Sequence, residues 1–331
     1  MEKKIVVSGI QPSGPLHVGN YLGMLRHALA LQERKDLRCY FFIADQHALT
    51  EPPYDAAERR RLTFELMVDF LALGLNPRKA TLFVQSDVPE HTELAWTLTT
   101  ITPVSQLERM TQWKDKGGRK NADSNAGLLT YPILQAADIL IYKGELVPVG
   151  QDQFQHLEFT RLVARAFNRR YGVIFPETEA LATETPKIMS LHDPVKKMSK
   201  SHGEHTVLRL TDSPRHLSEK LARAVTDSGA AGSEKSAGVA NLFMLLKAFG
   251  EEATVAQFDE AYQHGTIRYS ELKAELARAI GDHFAAFRKK REALMRKPNT
   301  VRAVFASGAK SASRVARATM ADVRAATGIG R

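Results

Sequence analysis

Lys4-Ile5-Val6-Val7-Ser8-Gly9-Ile10-Gln11-Pro12-Ser13-Gly14-Pro15-Leu16-His17-Val18-Gly19-Asn20 is the stretch on which the fold turns. Lys4–Ser8 is a short apolar run that stops at Gly9, the pattern of a buried strand. The Gly/Pro-rich segment Gly9–Pro15 cannot be regular structure, and helical periodicity then runs from about Val18 to Glu33. Downstream, Arg38–Ala44 is β-branched and aromatic and reads as a second strand. Ala56–Leu73 reads as a helix closed by Gly74 at its C′ position, and Ala80–Val84 as a third strand. Strand, helix, strand, helix, strand at this spacing predicts a parallel α/β sheet. The opening turn then lies beyond the carboxyl end of the first strand, where open α/β sheets take their ligands.

Beyond the third strand, helices are expected at about Thr92–Ile101, Val104–Lys116, Ala126–Tyr142 (despite Pro132 near its first turns) and Gln153–Asn168. Gly117–Asn125 should be a mobile loop, Leu146–Val149 a short strand and Ile188–Leu191 the last strand of the sheet. After His205 the pattern is almost purely helical, broken by the linker-like Ala230–Gly238. The expected organisation is a Rossmann-like parallel-sheet domain over 1–204 and a helical domain over 205–331.

The chain has 331 residues, 44% hydrophobic and 25% charged, ordinary for a globular protein. It has a single cysteine, Cys39, so no internal disulfide can form, and no Cys/His cluster has zinc spacing. The start lacks the long apolar stretch of a signal peptide, and no run approaches a membrane span. A reducing cytoplasm is the expected home, with neither a membrane nor DNA as partner. The net charge of +9 is unevenly placed: Arg288–Arg331 carries 12 Lys/Arg against Glu292 and Asp322, while the other 287 residues hold 34 bases and 35 acids. Such a cluster is either a solvated helical surface or a surface that meets polyanions.

Two constellations carry chemistry. In the first, a helix N-terminus at Val18 would offer free N–H groups and a positive dipole end to phosphate. His17 and Asn20 could hydrogen-bond phosphate oxygens, and Gly19 would let a flat ring approach the backbone. Alone, it is equally a Gly/Pro turn with an incidental histidine. The second, Lys197-Met198-Ser199-Lys200-Ser201, puts two lysines and two hydroxyls on a short segment able to close over a triphosphate and stabilise a departing pyrophosphate. Alone, it is an ordinary solvated basic loop. One opens the sheet and the other follows its end about 180 residues later, a far more specific pairing.

His-Val-Gly-Asn with Lys-Met-Ser-Lys-Ser resembles the paired signatures of the class I aminoacyl-tRNA synthetases. Ser8–Gly14 is similar to the tryptophan branch of that family. So are Asp45–Ala48, Glu108–Gln112, Gly127–Pro132, Val149–Gln153 and Ala224–Ser228, so the likeness runs in order along nearly the whole chain. Asn20 stands where many class members have a second histidine, a substitution common in the tryptophan branch. Gln135 and Val7 depart from the branch, which more often has methionine and an aromatic there, both near the amino-acid pocket.

The resemblance implies a two-step activity: ATP-dependent activation of L-tryptophan to the adenylate, then transfer to the 3′ end of tRNA(Trp). Lys197, Lys200, Ser199, His17 and Asn20 would act on the reacting phosphates. Gln11, Pro12, Ser13, Gly19, Gly150, Gln151, Asp152, Ile188, Met198 and Ser201 would complete the ATP site, with Asp152 suited to ribose hydroxyls and the Ile188 backbone to adenine. Lys116 would be within reach of pyrophosphate, and Mg²⁺ would travel with ATP rather than in a protein cage. For the amino acid, Asp138, Tyr131, Gln135, Gln153, His47, Val7 and Ser8 are implicated. Tyr131, Gln135 and Asp138 fall at i, i+4 and i+7, on one helix face. A buried Asp138 needs a partner: either a neighbouring helix supplies a salt bridge, or, as the resemblance implies, it accepts the indole N–H, a group that is only a donor. A site built on such a bond can reject phenylalanine by roughly 10⁴-fold, which would make an editing domain unnecessary. No functional role is read for His27, His91 or His156. The resemblance further implies a homodimer, with a helical dimerisation insert at about 92–125 and Thr92–Gln112 as the interface, and anticodon reading by the C-terminal helices. The alternatives are another class I synthetase such as the tyrosine enzyme, a small nucleotidyltransferase with an H-x-G loop, and an auxiliary paralogue with a regulatory or binding role.

Overall fold

The structure is a computed structural model and describes residues 3–50, 55–115, 124–150, 153–182, 188–198, 204–227 and 234–330. Five parallel strands form one sheet: β1 Lys4–Ile10, β2 Leu37–Ile43, β3 Ala80–Val84, β4 Leu146–Val149 and β5 Glu179–Ala182, in the order β3-β2-β1-β4-β5. The central strands are near-continuous apolar runs because helices cover both faces of such a sheet. In register, Val7 opposes Tyr40 and Gly9 opposes Phe42. Gly9 is required there, since an added Cβ would meet the Phe42 ring at 2.5 Å. The strand order reverses between β1 and β4, the switch point at which ligands bind doubly wound sheets. Gln11–Ser13 leave the end of β1 and Gly150 leaves the end of β4.

The fifth strand corrects the sequence reading. Ile188–Leu191 is not a sheet strand; it makes only an isolated antiparallel bridge, Met189 to Lys197. The sheet is completed instead by Glu179–Ala182, an edge strand with no β-branched residue and an exposed Glu179. It lacks the side chains that usually announce a strand. The expected Val104–Lys116 helix is two short ones, Val104–Glu108 and Thr111–Asp115. The segment 116–123, holding Lys116 and most of the expected loop, and 230–233 of the expected linker lie outside the described residues.

The chain divides into two compact units, and the division does not follow a single cut at 204/205. One comprises 1–13, 26–184 and 297–331; the other comprises 14–25 and 185–296. The first contains the sheet. Its main core joins Val7, Tyr40 and Phe83 to Ile133, Ala137 and Tyr142, and also to Ala312, Ala316, Met320 and Val323 from the 30-residue helix Pro298–Thr327. That helix lies against edge strand β3, where Gly308 brings it so close that any Cβ would overlap the Leu82 carbonyl oxygen. Covering an exposed edge in this way blocks unwanted strand pairing. Arg317 pairs with Glu90 at 3.0 Å and Arg324 with Glu93 at 2.6 Å. The basic C-terminal segment is therefore shared out, with Lys297–Arg331 belonging to the sheet unit and Arg288–Arg296 to the other.

The second unit is built on helices Pro214–Ala222, Ala237–Phe249, Glu252–Gln263, Tyr269–His283 and Ala285–Met295. Their apolar stripes bury Leu217, Leu221, Leu242, Leu246, Leu276, Ile280 and Phe284. Tyr21 packs edge-on against Phe284 with ring centroids 5.0 Å apart, which ties 14–25 to this unit.

Candidate active site

In the sheet unit, helix Ala126–Leu140 begins at Asn125, whose side chain accepts the Leu128 N–H. It presents Asp138 to the interior at 2% exposure. The carboxylate is gripped from three elements. Gln85, following β3, donates from Nε2 to Oδ1 at 2.7 Å. His91, on helix Glu90–Thr99, reaches Oδ1 through Nδ1 at 2.6 Å. His47, on the turn His47–Thr50, reaches Oδ2 through Nε2 at 2.8 Å. Burial pushes the Asp138 carboxyl up, but the hydrogen bonds from His47 and His91 outweigh it and hold the group below its ordinary value. Asp138 is thus an anion that accepts only, so each ring nitrogen facing it carries a proton. Its burial is satisfied by the protein itself, a neighbouring helix included.

Tyr131, two helical turns earlier, bonds His156 Nε2 at 2.6 Å, and its ring lies 6.4 Å from that of His47, edge to face. Burial pushes the Tyr131 phenol up, so it keeps its proton. Gln135 is partly buried on the same helix, and Gln153 precedes helix Phe154–Tyr171, its N–H donating to the Gly150 carbonyl at 3.0 Å. Val7 lies in the main core, on the side of the sheet that helix Ala126–Leu140 covers. Ser8, the next strand residue, points to the opposite face, so the two do not share a wall. Gln151 and Asp152 lie outside the described residues.

The second unit holds both signatures. His17 caps the helix that starts at Val18: its Nδ1 accepts the Gly19 N–H at 3.1 Å, and Asn20 Oδ1 accepts the His17 N–H at 3.1 Å. Since Nδ1 accepts, the proton of the neutral ring sits on Nε2, which makes that edge a donor suited to a phosphate oxygen. The flat ring close to Gly19 is His17 itself, whose Cε1 an added Cβ would meet at 2.9 Å. The Leu16-His17-Val18 strip is fixed by Val18 N–H to Leu208 O and Leu210 N–H to Leu16 O. Ile188 and Met198 close a small hairpin through Met198 N–H to Ile188 O at 2.9 Å, which sets the base from which Lys197 springs. Buried Asn241 clamps it, accepting the Met189 N–H at 2.9 Å and donating to Met189 O at 3.0 Å. Ser199, Lys200 and Ser201 lie outside the described residues.

The profile of the family described as class I tRNA synthetases (W and Y) matches residues 1–285. The chain belongs to that family. Among curated relatives it is 42% identical to a tryptophan–tRNA ligase of Halalkalibacterium halodurans, over 99% of each chain. It is also 42% identical to the tryptophan–tRNA ligase of Caldanaerobacter subterraneus, over 98% of each. Among solved structures, the tryptophanyl-tRNA synthetase of Campylobacter jejuni complexed with ADP and tryptophan superposes with a TM-score of 0.84 at 33% identity, covering 98% of this chain and all of that one.

Four residues of this synthetase that shape the candidate site escaped the sequence reading: Gln85, His91, Tyr142 and Asn241. Gln85 and His91 reach Asp138 from 53 and 47 residues away, and Tyr142 stands behind His91, bonding its Nε2 at 2.7 Å. The available signal was Asp138 itself. A buried carboxylate demands donors, but His91 stands among Asp87, Glu90, Thr92 and Glu93 and so reads locally as part of a solvated helix start.

Proposed function

We propose that the chain is a tryptophan–tRNA ligase. The tryptophan carboxylate oxygen attacks the α-phosphorus of ATP, the bond from that phosphorus to the bridging oxygen breaks, and pyrophosphate leaves. A terminal ribose hydroxyl of tRNA(Trp) then attacks the acyl carbon, giving up its proton as AMP departs. His17 and Asn20, with Lys197 and Lys200, serve the phosphates; Gln11–Ser13, Gly19, Gly150–Asp152, Ile188, Met198, Ser199 and Ser201 hold the nucleotide, and Mg²⁺ arrives with it. Asp138, His47, Tyr131, Gln135 and Gln153 bind the amino acid. Catalysis is positioning and charge stabilisation, with no covalent enzyme intermediate.

The observation that carries this reading is the buried anionic Asp138 beside Tyr131 and His47, in a chain with both phosphate signatures and near-full-length bacterial tryptophan–tRNA ligase relatives. The C-terminal residues 205–331 contact the tRNA, and the basic Arg288–Arg331 suits its phosphates. A homodimer is supported by Trp96 and Val104, large apolar residues 71% and 55% exposed on the expected 92–125 interface. The cytoplasm, where tRNA is charged, is the proposed location; among the described residues no helix is long and apolar enough to cross a membrane. The test is amino-acid-dependent ATP–pyrophosphate exchange with all twenty amino acids. Exchange with tryptophan alone is expected, and exchange with tyrosine instead would overturn the assignment. Lys200→Ala should lower the exchange rate by about 10²-fold while tryptophan still binds.

A further inference from the structure

The carboxylate of Asp138 is more elaborately held than burial requires. Oδ1 receives two donors, Gln85 Nε2 and His91 Nδ1, which fills its two lone pairs. Among the described residues Oδ2 receives only His47. Both Oδ1 donors are themselves fixed from behind. The Gln85 amide accepts the Gln46 backbone N–H on Oε1 at 3.2 Å, so its NH₂ can only face Asp138. His91 Nε2 lies 2.7 Å from the hydroxyl of Tyr142. Burial and the Asp138 charge push the Tyr142 phenol up, so it keeps its proton and donates it to Nε2. That sets the His91 proton on Nδ1, facing Asp138. Tyr142 cannot rotate away: its side chain is fully buried and its ring stacks on Tyr40 at 4.5 Å.

We infer that Tyr142, His91 and Gln85 are positioning residues for amino-acid selection: they saturate Oδ1 and fix the carboxylate rotamer, so that the one remaining acceptor site, on Oδ2 at the His47–Tyr131 side, is aimed at a side-chain N–H. This rests on the reading of Asp138 as the acceptor for tryptophan. None of the three touches the substrate; they act through Asp138, as outer hydrogen bonds commonly orient an inner group. A rigid acceptor sharpens selection because an analogue without the donor leaves it unpaired.

The test compares tryptophan with its sulfur isostere, in which benzothiophene replaces indole and no N–H remains. The readout is the ratio of kcat/KM for tryptophan to that for the isostere, from ATP–pyrophosphate exchange by the full chain. His91→Leu should lower this ratio by about 10-fold, the change lying in KM for tryptophan. His91→Asn returns a donor near the Nδ1 position and should recover most of the ratio. Tyr142→Phe, which removes one oxygen, should lower it by about 3-fold, and carries the test if His91→Leu does not fold. Equal losses for both substrates, leaving the ratio unchanged in His91→Leu or Tyr142→Phe, would overturn the inference. Asp138→Asn separates the premise: it should collapse the ratio. If that variant keeps the ratio, Asp138 is not the indole acceptor and the underlying reading fails. If it collapses the ratio while the His91 and Tyr142 variants do not, only the positioning role fails.

Discussion

Replacing Asp138 by leucine or by asparagine should have sharply unequal effects on stability. Leucine has the same branched heavy-atom skeleton and is larger, so it leaves no cavity and adds only some crowding. It accepts nothing, however, and orphans three buried donors: Gln85 Nε2, His91 Nδ1 and His47 Nε2. At about 1–3 kcal/mol for each, the cost is roughly 3–9 kcal/mol, against a total stability for a typical domain of about 5–15 kcal/mol. Asparagine keeps one oxygen, which can stay at the Oδ1 position and serve Gln85 and His91. Its NH₂ then faces His47, whose neutral ring can shift its proton and accept. The cost there is mainly lost charge assistance, about 1–2 kcal/mol. The gap between the two variants should be at least about 1 kcal/mol, or roughly 5-fold in the opening equilibrium of helix Ala126–Leu140. Native-state amide hydrogen exchange of Ile133–Asp138 reads that opening directly. The competing outcome is known from buried polar clusters that tolerate apolar replacement without loss. If the leucine variant is protected as well as the asparagine variant, the network contributes no net stability and the reasoning is wrong.

The stabilising effect of the Asp138 charge carries a pH signature. Its folded-state value is depressed, so the contribution is complete above the ordinary value of 3.8 and is lost as pH falls from there through the folded value. Wild type and Asp138→Asn should therefore differ fully near neutrality and converge only in acid below that value; hydrogen exchange in which the gap closes well above it would contradict this. Gly308→Ala should cost at least about 1–3 kcal/mol by forcing the C-terminal helix off Leu82; an unchanged melting temperature would show that the helix adjusts freely. Asn241→Leu strands the Met189 N–H and carbonyl beneath the hairpin bearing Lys197. It should raise KM for ATP several-fold while tryptophan affinity, measured by equilibrium binding, holds; an unaltered KM would remove Asn241 from the site's support.

Local pattern determined the elements of this protein wherever a side-chain rule was strong. Helix Ala56–Leu73 with Gly74, strand Ala80–Val84 and strand Leu146–Val149 stand where periodicity and a turn residue put them, because a helix stripe or an apolar run is written in neighbouring positions. The parallel sheet followed from the alternation of those elements, and the residues proposed to serve phosphate were drawn from two dense motifs. Edge strand Glu179–Ala182 was invisible, since its identity comes from pairing with β4 rather than from its own side chains. The placement of helix Pro298–Thr327 was equally hidden. Its stripe of alanines, Met320 and Val323 announces that it packs, but only the bare Cα of Gly308 against Leu82 decides on what. Sequence also showed that Asp138 needs a partner without naming one. Hydrogen bonds act over about 3 Å, and the groups that meet Asp138 converge from three separate elements, so the sheet and its helices had to be assembled before the donors could be known.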